Sequence, residues 1–328
     1  MTNTPDDQTG GHMEAQKGDP ADAQTGGRAG GQAGGPWGVV VGVDDSEEGM
    51  RAVEWAAGEA ERRRRPLEIV HAFVWPLLGV PLGVAPDGPP EGGLRHDAER
   101  VLAAGLARAR AVAPDVEVTT SMPEGASVPV LLHRSQYAEL LVVGSRGLGE
   151  FGGLVLGSVG ARLATESACP VVVVRGPGDP RGPVVVGLAG PDDAEALPNL
   201  ALPNLTLLDF AFAHAARTTN ALTLAHAVRP ARSPLFEDDK DDGDEGDQVP
   251  VPTDDLARRK ERFPAVAVSS QTLTGHPGKA LMHAASGASL LVVGSHHDHE
   301  LGALLHGSVS QAVLHHAHCP VAIIKLGS

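Results

Sequence analysis

Cysteine, aromatic side chains and long apolar runs are all scarce in this sequence. Two cysteines in 328 residues exclude a disulfide scaffold and suit a reducing compartment. Aromatics make up 3% of the chain, so its cores must be built from Val, Leu and Ala. No uninterrupted apolar run approaches the ~18 residues of a membrane span. The opening MTNTPDDQTGGHMEAQKGDP lacks the basic and apolar regions of a signal peptide. A cytoplasmic protein without a membrane partner is therefore expected. Positive charge is short as well: 26 Lys and Arg stand against 41 Asp and Glu, a net charge of −15, which argues against a nucleic-acid partner. What is plentiful is Gly (41) and Pro (26) within a 42% hydrophobic chain. Its length favours two domains.

The two cysteines reveal how the chain is organised. Cys169 in SACPVVVVR and Cys319 in AHCPVAIIK lie 150 residues apart in matching contexts. The same offset joins LLVVGSRG at Leu140 to LLVVGSHH at Leu290, and Gly157-Ser158-Val159 to Gly307-Ser308-Val309. Earlier landmarks match at other offsets: VVVGV at Val39 with VVVGL at Val184 (145), and LEIVHAF at Leu67 with LTLAHAV at Leu222 (155). Ten residues were therefore added between these strands in the second copy, and the adjacent ALPNL repeats at Ala196 and Ala201 offer a source for them. A period this long is domain duplication rather than a solenoid.

Each copy reads as alternating strands and helices. In the first, Trp37–Val43 is an apolar strand buried on both faces. Ser46 caps a helix that carries Glu47 and Glu48 at its start and Arg62–Arg65 at its end, and Pro66 stops it. The four arginines are read as a solvated helix end rather than a nucleic-acid contact. Strands at Leu67–Phe73, Val116–Ser121, Leu140–Val143 and Val171–Val174 alternate with helices at Arg95–Val112, Ser127–Tyr137 and Ser158–Ser167. This alternation implies a parallel sheet covered on both faces. Outside the pattern lie residues 1–35, expected to be a disordered tail, and Trp75–Gly93, a surface connection or a lid. Arg229–Pro252 holds the acidic run EDDKDDGDEGD, read as a mobile loop whose spacing does not match an EF-hand.

After the fourth strand the first copy reads Gly144-Ser145-Arg146-Gly147, nine residues, then Gly157-Ser158-Val159. Ligands of open parallel sheets bind beyond the carboxyl ends of the strands. Glycines there let backbone N–H groups reach phosphate oxygens, and Gly157-Ser158 would open a helix whose dipole favours an anion. Asp44, ending the first strand at the same edge, is placed to accept from ribose hydroxyls or an adenine amine. Glycine spacing alone equally allows tight turns, with Asp44 merely leading into the Ser46 cap.

The pattern G-x2-G-x9-G-[ST] after LLVVGS, with VGVDDS opening and CPVVVVR closing the copy, closely resembles the universal stress protein family. The resemblance covers residues 37–175 and 182–326. It implies two open five-stranded parallel-sheet α/β domains, adenine nucleotide alpha hydrolase-like, with strand order 3-2-1-4-5. Their extents are taken as 36–176 and 182–326, the first being the nucleotide-binding one. It also implies ATP, with or without Mg, in the cleft of the first domain. Asp44 would meet adenosine, with Val43, Ala72 and Phe73 lining the base pocket. Gly144, Arg146, Gly147, Gly157, Ser158 and Val159 would surround ribose and phosphates. Family precedent further implies an intramolecular pseudo-dimer through Val171–Val174 and Val321–Ile324, with homodimers also open.

The second copy departs at two places: Ala189 stands where Asp44 does, and His297 where Gly147 does. One competent site is therefore expected. Seven of the fifteen histidines fall between His296 and His318. No spacing there matches a known metal site, while histidines near a phosphate cleft would gain charge as pH falls towards ~6. The function expected is a nucleotide-responsive stress regulator that is not an enzyme. No Walker lysine or evident base accompanies the loop. A slow ATPase and a nucleotide-free interaction module are the alternatives.

Overall fold

The computed structural model describes residues 37–74, 90–145, 157–176, 178–189, 201–228, 251–295 and 308–326. The expected tail, the acidic run and all but the last four residues of Trp75–Gly93 lie outside the described residues. In the first half the elements are β1 (Trp37–Gly42), α1 (Glu47–Arg63), β2 (Leu67–Val70), α2 (Pro90–Val112), β3 (Val118–Ser121), α3 (Ser127–Ser135), β4 (Ala138–Gly144), α4 (Ser158–Glu166) and β5 (Val171–Val174). The second half follows with β6 (Val184–Leu188), α5 (Ala201–Thr218), β7 (Leu222–Val228), α6 (Thr253–Arg262) and β8 (Val268–Thr274). It ends with α7 (Pro277–Ala284), β9 (Leu290–Ser295), α8 (Ser308–His316) and β10 (Val321–Lys325).

Each half is a parallel sheet in the order 3-2-1-4-5, and the two sheets fuse into one of ten strands. The fusion is antiparallel: Val171, Val172 and Val173 of β5 face Ile323, Ala322 and Val321 of β10. Because every other pairing is parallel, the carboxyl ends of the two halves point to opposite edges. Val39, Val40 and Val41 are fully buried, as the continuous apolar run in β1 requires. Alternate residues feed two cores. Val39 and Val41 pack with α1, α2 and α5, while Val40 joins the layer under α3, α4, α7 and α8. Each layer runs across both halves. Phe212 is the largest fully buried side chain, and the rest of that set is Leu and Ile, the consequence of so few aromatics.

Local details depart from the sequence reading in three places. Helix α2 begins at Pro90, five residues before the expected Arg95, since proline fits the first turn of a helix, where its missing N–H is not needed. Strand β2 ends at Val70, but Phe73 returns to pair with Glu124 as an isolated bridge. The arginine run is not simply solvated. Arg64 adopts a left-handed conformation (φ 54°) that ends α1, and the preceding Arg63 turns inward, its side chain 11% exposed, to donate to Glu59 at 2.7 Å.

Arg175, buried just beyond β5, crosses the seam to cap the end of α8. Its Nε donates to the Ala317 carbonyl at 3.2 Å and its Nη1 to that of Leu314. Charged donors on otherwise unpaired helix carbonyls contribute about 1.5–3 kcal/mol. Arg175→Met is expected to lower stability by about 2 kcal/mol in urea unfolding, and an unchanged midpoint would show the cap to be redundant.

Candidate functional site

The switch point of the first sheet lies between β1 and β4, where the chain reverses its order of strand addition. Asp44 follows β1 there, half-buried. Its Oδ1 accepts from the Ser46 backbone N–H at 3.2 Å and from the Ser46 hydroxyl. The same hydroxyl oxygen caps α1 by accepting from the Gly49 N–H at 3.0 Å. Gly49 makes room for this arrangement, because a Cβ on it would stand 2.7 Å from Asp44 Oδ1. The helix cap and the carboxylate are thus one unit.

Gly144 ends β4 beside this turn. A Cβ there would come within 2.8 Å of the Glu48 carbonyl group and 3.0 Å of the Gly49 nitrogen. Its lack of a side chain therefore lets α1 close onto the sheet, a packing role beside the place that the glycine spacing gives it at the strand end. Gly157 donates its N–H to the Ser145 carbonyl at 3.0 Å and opens α4 in an extended conformation. Gly157 has no side chain with which to cap that first turn, and no acidic residue stands in it. Ser158 is exposed and Val159 half-buried at the start of α4. Arg146 and Gly147 lie outside the described residues.

On the other side of β1, Val43 is 6% exposed and Phe73 7%, and Ala72 is half-buried. Phe73 is held by backbone bonds to Pro123 (2.9 Å) and from Gly125 (2.8 Å), the latter with φ +133°. The sequence reading gave no role to His71. Its Nδ1 donates to the Val43 carbonyl at 2.9 Å, pinning the backbone that precedes Asp44. The signal was available, since His71 and His226 occupy the same place in LEIVHAF and LTLAHAV, and His226 Nδ1 bonds the Leu188 carbonyl at 3.4 Å.

The second half keeps this frame and fills its centre. Asn204, fully buried, stands at the position of Gly49 by the offset of 155. Its Oδ1 accepts from the Ala189 N–H at 3.1 Å and its Nδ2 donates to the Ala189 carbonyl at 3.0 Å. The carboxamide thus occupies the ground that Asp44 holds in the first half. Ser310, equivalent to Gly160, donates to the Gly294 carbonyl at 2.7 Å and ties α8 down. Gly294 itself faces Leu326, which a Cβ would strike. His297 and Gly307 lie outside the described residues.

Neither cysteine is built for chemistry. Burial pushes the thiols of Cys169 and Cys319 up to about 11. His315, His316 and His318 sit at the end of α8 beside Arg175. Burial, with His316 and Arg175 adding charge, moves His315 below its ordinary value, against protonation in the mildly acid range. His296, His297, His299 and His306 lie outside the described residues. Among the described residues no three His, Cys, Asp or Glu side chains group as a metal site, and no helix is long and apolar enough to cross a membrane.

The universal stress protein family model matches residues 38–175 and 203–325. Universal stress protein Rv2623 of Mycobacterium tuberculosis is 31% identical over 303 residues, covering 88% of this chain and 96% of its own. A universal stress protein of Mycolicibacterium smegmatis is 30% identical over 304 residues, covering 88% and 97%. Among solved structures, a universal stress protein from Archaeoglobus fulgidus superposes with a TM-score of 0.61 at 20% identity, covering 89% of this chain and 97% of that one. Two matches of the family model, both sheets in the order 3-2-1-4-5 and relatives aligned along nearly their whole length lead to one conclusion: this chain is a tandem, two-domain member of the universal stress protein family.

Proposed function

We propose that the first domain, residues 36–176, binds adenine nucleotide, ATP foremost, and that the chain acts in the cytoplasm as a nucleotide-responsive stress regulator. The observation that carries this reading is the Asp44–Ser46–Gly49 turn at the switch point. It presents a carboxylate, fixed through Oδ1, directly after the buried Val43, and the buried Phe73 follows the neighbouring strand β2. A carboxylate suits ribose hydroxyls or the adenine amine, and apolar walls suit a base. The start of α4 follows a glycine N-cap and carries no acidic residue in its first turn, which suits phosphate. Mg enters this reading only as the ion that ATP carries.

The second domain, residues 182–326, is a diverged partner in which Asn204 takes the carboxylate's ground. Calorimetry of the full chain with ATP is expected to give a stoichiometry near one, and Gly157→Ala/Ser158→Ala to abolish binding. A stoichiometry near two, or undiminished binding by that variant, would overturn the proposal.

A further inference from the structure

Helices α1 and α5 meet over the seam at equivalent positions. The 155-residue offset that relates β2 to β7 also relates Arg64 to Thr219. Among the described residues, these are the two non-glycine positions with left-handed backbone, φ 54° and 57°. By the same offset Glu59 corresponds to His214, Trp55 to Phe210 and Arg62 to Arg217. Beneath them Val172 faces Ala322, its own counterpart at 150. A pseudo-two-fold axis therefore runs through the seam, and on such an axis a residue meets its own equivalent.

Glu59 and His214 are that meeting. Their nearest atoms, Oε1 and Nδ1, are 3.3 Å apart, with side chains 0% and 3% exposed. Trp55 and Phe210 each lie nearly parallel to the imidazole, with ring centroids 6.2 and 6.3 Å away. Arg62 and Arg63 reach Glu59 at 3.2 and 2.7 Å and Arg217 at 3.7 Å. Two identical domains joined on this axis would set Glu59 against Glu59, or His214 against His214 with two copies of Arg217 and no acid. Like groups held in contact away from water are strongly disfavoured.

We infer that this axis carries a like-with-unlike code: the first domain accepts as partner the second domain of such a chain and rejects a second copy of itself. Pairing is then internal, or exchanged between two chains, and never first domain to first domain through this face.

Two full-length variants test the code, Glu59→His and His214→Glu, together with their double exchange. Hydrogen exchange of the β5–β10 amides is expected to speed up about 100-fold or more in each single variant. It should return to within a few fold of wild type in the double exchange. Each single variant carries like groups on its own axis, yet the two are complementary to one another. Refolded together, they should form a 1:1 exchanged dimer by sedimentation, even if neither folds well alone. Double-exchange effects equal to the product of the single ones, or separate chains after joint refolding, would overturn the code.

Discussion

Changing Ala189 to Asp, Asn204 to Gly and His297 to Gly in one chain is expected to raise the ATP stoichiometry in calorimetry from one to two. The two clefts share a frame: equivalent strands, a histidine that pins the backbone at the end of β1 or β6, and a glycine at the end of β4 or β9. They differ in a coupled pair. The first holds Asp44 with Gly49, on which a Cβ would stand only 2.7 Å from the carboxylate. The second holds Ala189 with Asn204, whose amide satisfies the Ala189 backbone at 3.0 and 3.1 Å. Neither exchange works alone. Ala189→Asp by itself would drive the new carboxylate against Asn204, and Asn204→Gly by itself would leave the Ala189 backbone uncapped. The reverse change, Gly49→Asn, should weaken ATP binding in the first domain about 10- to 100-fold, the loss of one or two charge-assisted hydrogen bonds. If the triple variant stayed at one site and Gly49→Asn bound normally, the pair would not be the determinant.

Glu59→Gln is expected to destabilise the chain by about 3–5 kcal/mol, because it leaves Arg62, Arg63, Arg217 and His214 around a buried neutral group. Burial by itself would raise the Glu59 carboxyl, but the His214 hydrogen bond and the neighbouring His214, Arg63 and Arg62 hold it far below its ordinary 4.5. The sign follows. A group whose pKa falls on folding contributes in full above its unfolded value and loses that contribution as the solution becomes more acid. Wild-type stability should therefore drop as pH falls below 4.5, with a proton uptake on unfolding that Glu59→Gln lacks. Urea midpoints measured from neutral pH downwards check this. Parallel pH profiles for the two proteins would remove Glu59 from the account.

Much of the fold was legible because the chain states it twice. Matching Cys169 with Cys319 fixed the register of the copies, and apolar runs such as Val171–Val174 mark strands buried on both faces. The Ser46 cap was equally readable, since its chemistry is local. Asp44 could be placed at the strand end, but its relation to Gly49 could not, because the role of Gly49 is defined by what a Cβ would touch. Comparing the copies was the missed route: the offset of 155 sets Gly49 against Asn204. The inward turn of Arg63 was hidden for a different reason. Its partner's surroundings, His214 and Arg217, lie some 150 residues further along the chain and meet it only once the two sheets have joined.

That join also decides which strand edges are left. The apolar strands β5 and β10 cover one another, while the outer strands are β3 and β8. These read VTTS and VSSQTLT, and all of their residues are half-buried or exposed. Ser, Thr and Gln on an edge give an incoming strand little apolar surface to bury. Fusion thus uses up the sticky edge of each half and turns a polar one outward at both ends of the ten strands found among the described residues. A half released by proteolysis would expose VVVV or VAIIK as a template for aggregation, an edge that in the intact chain only the partner half covers.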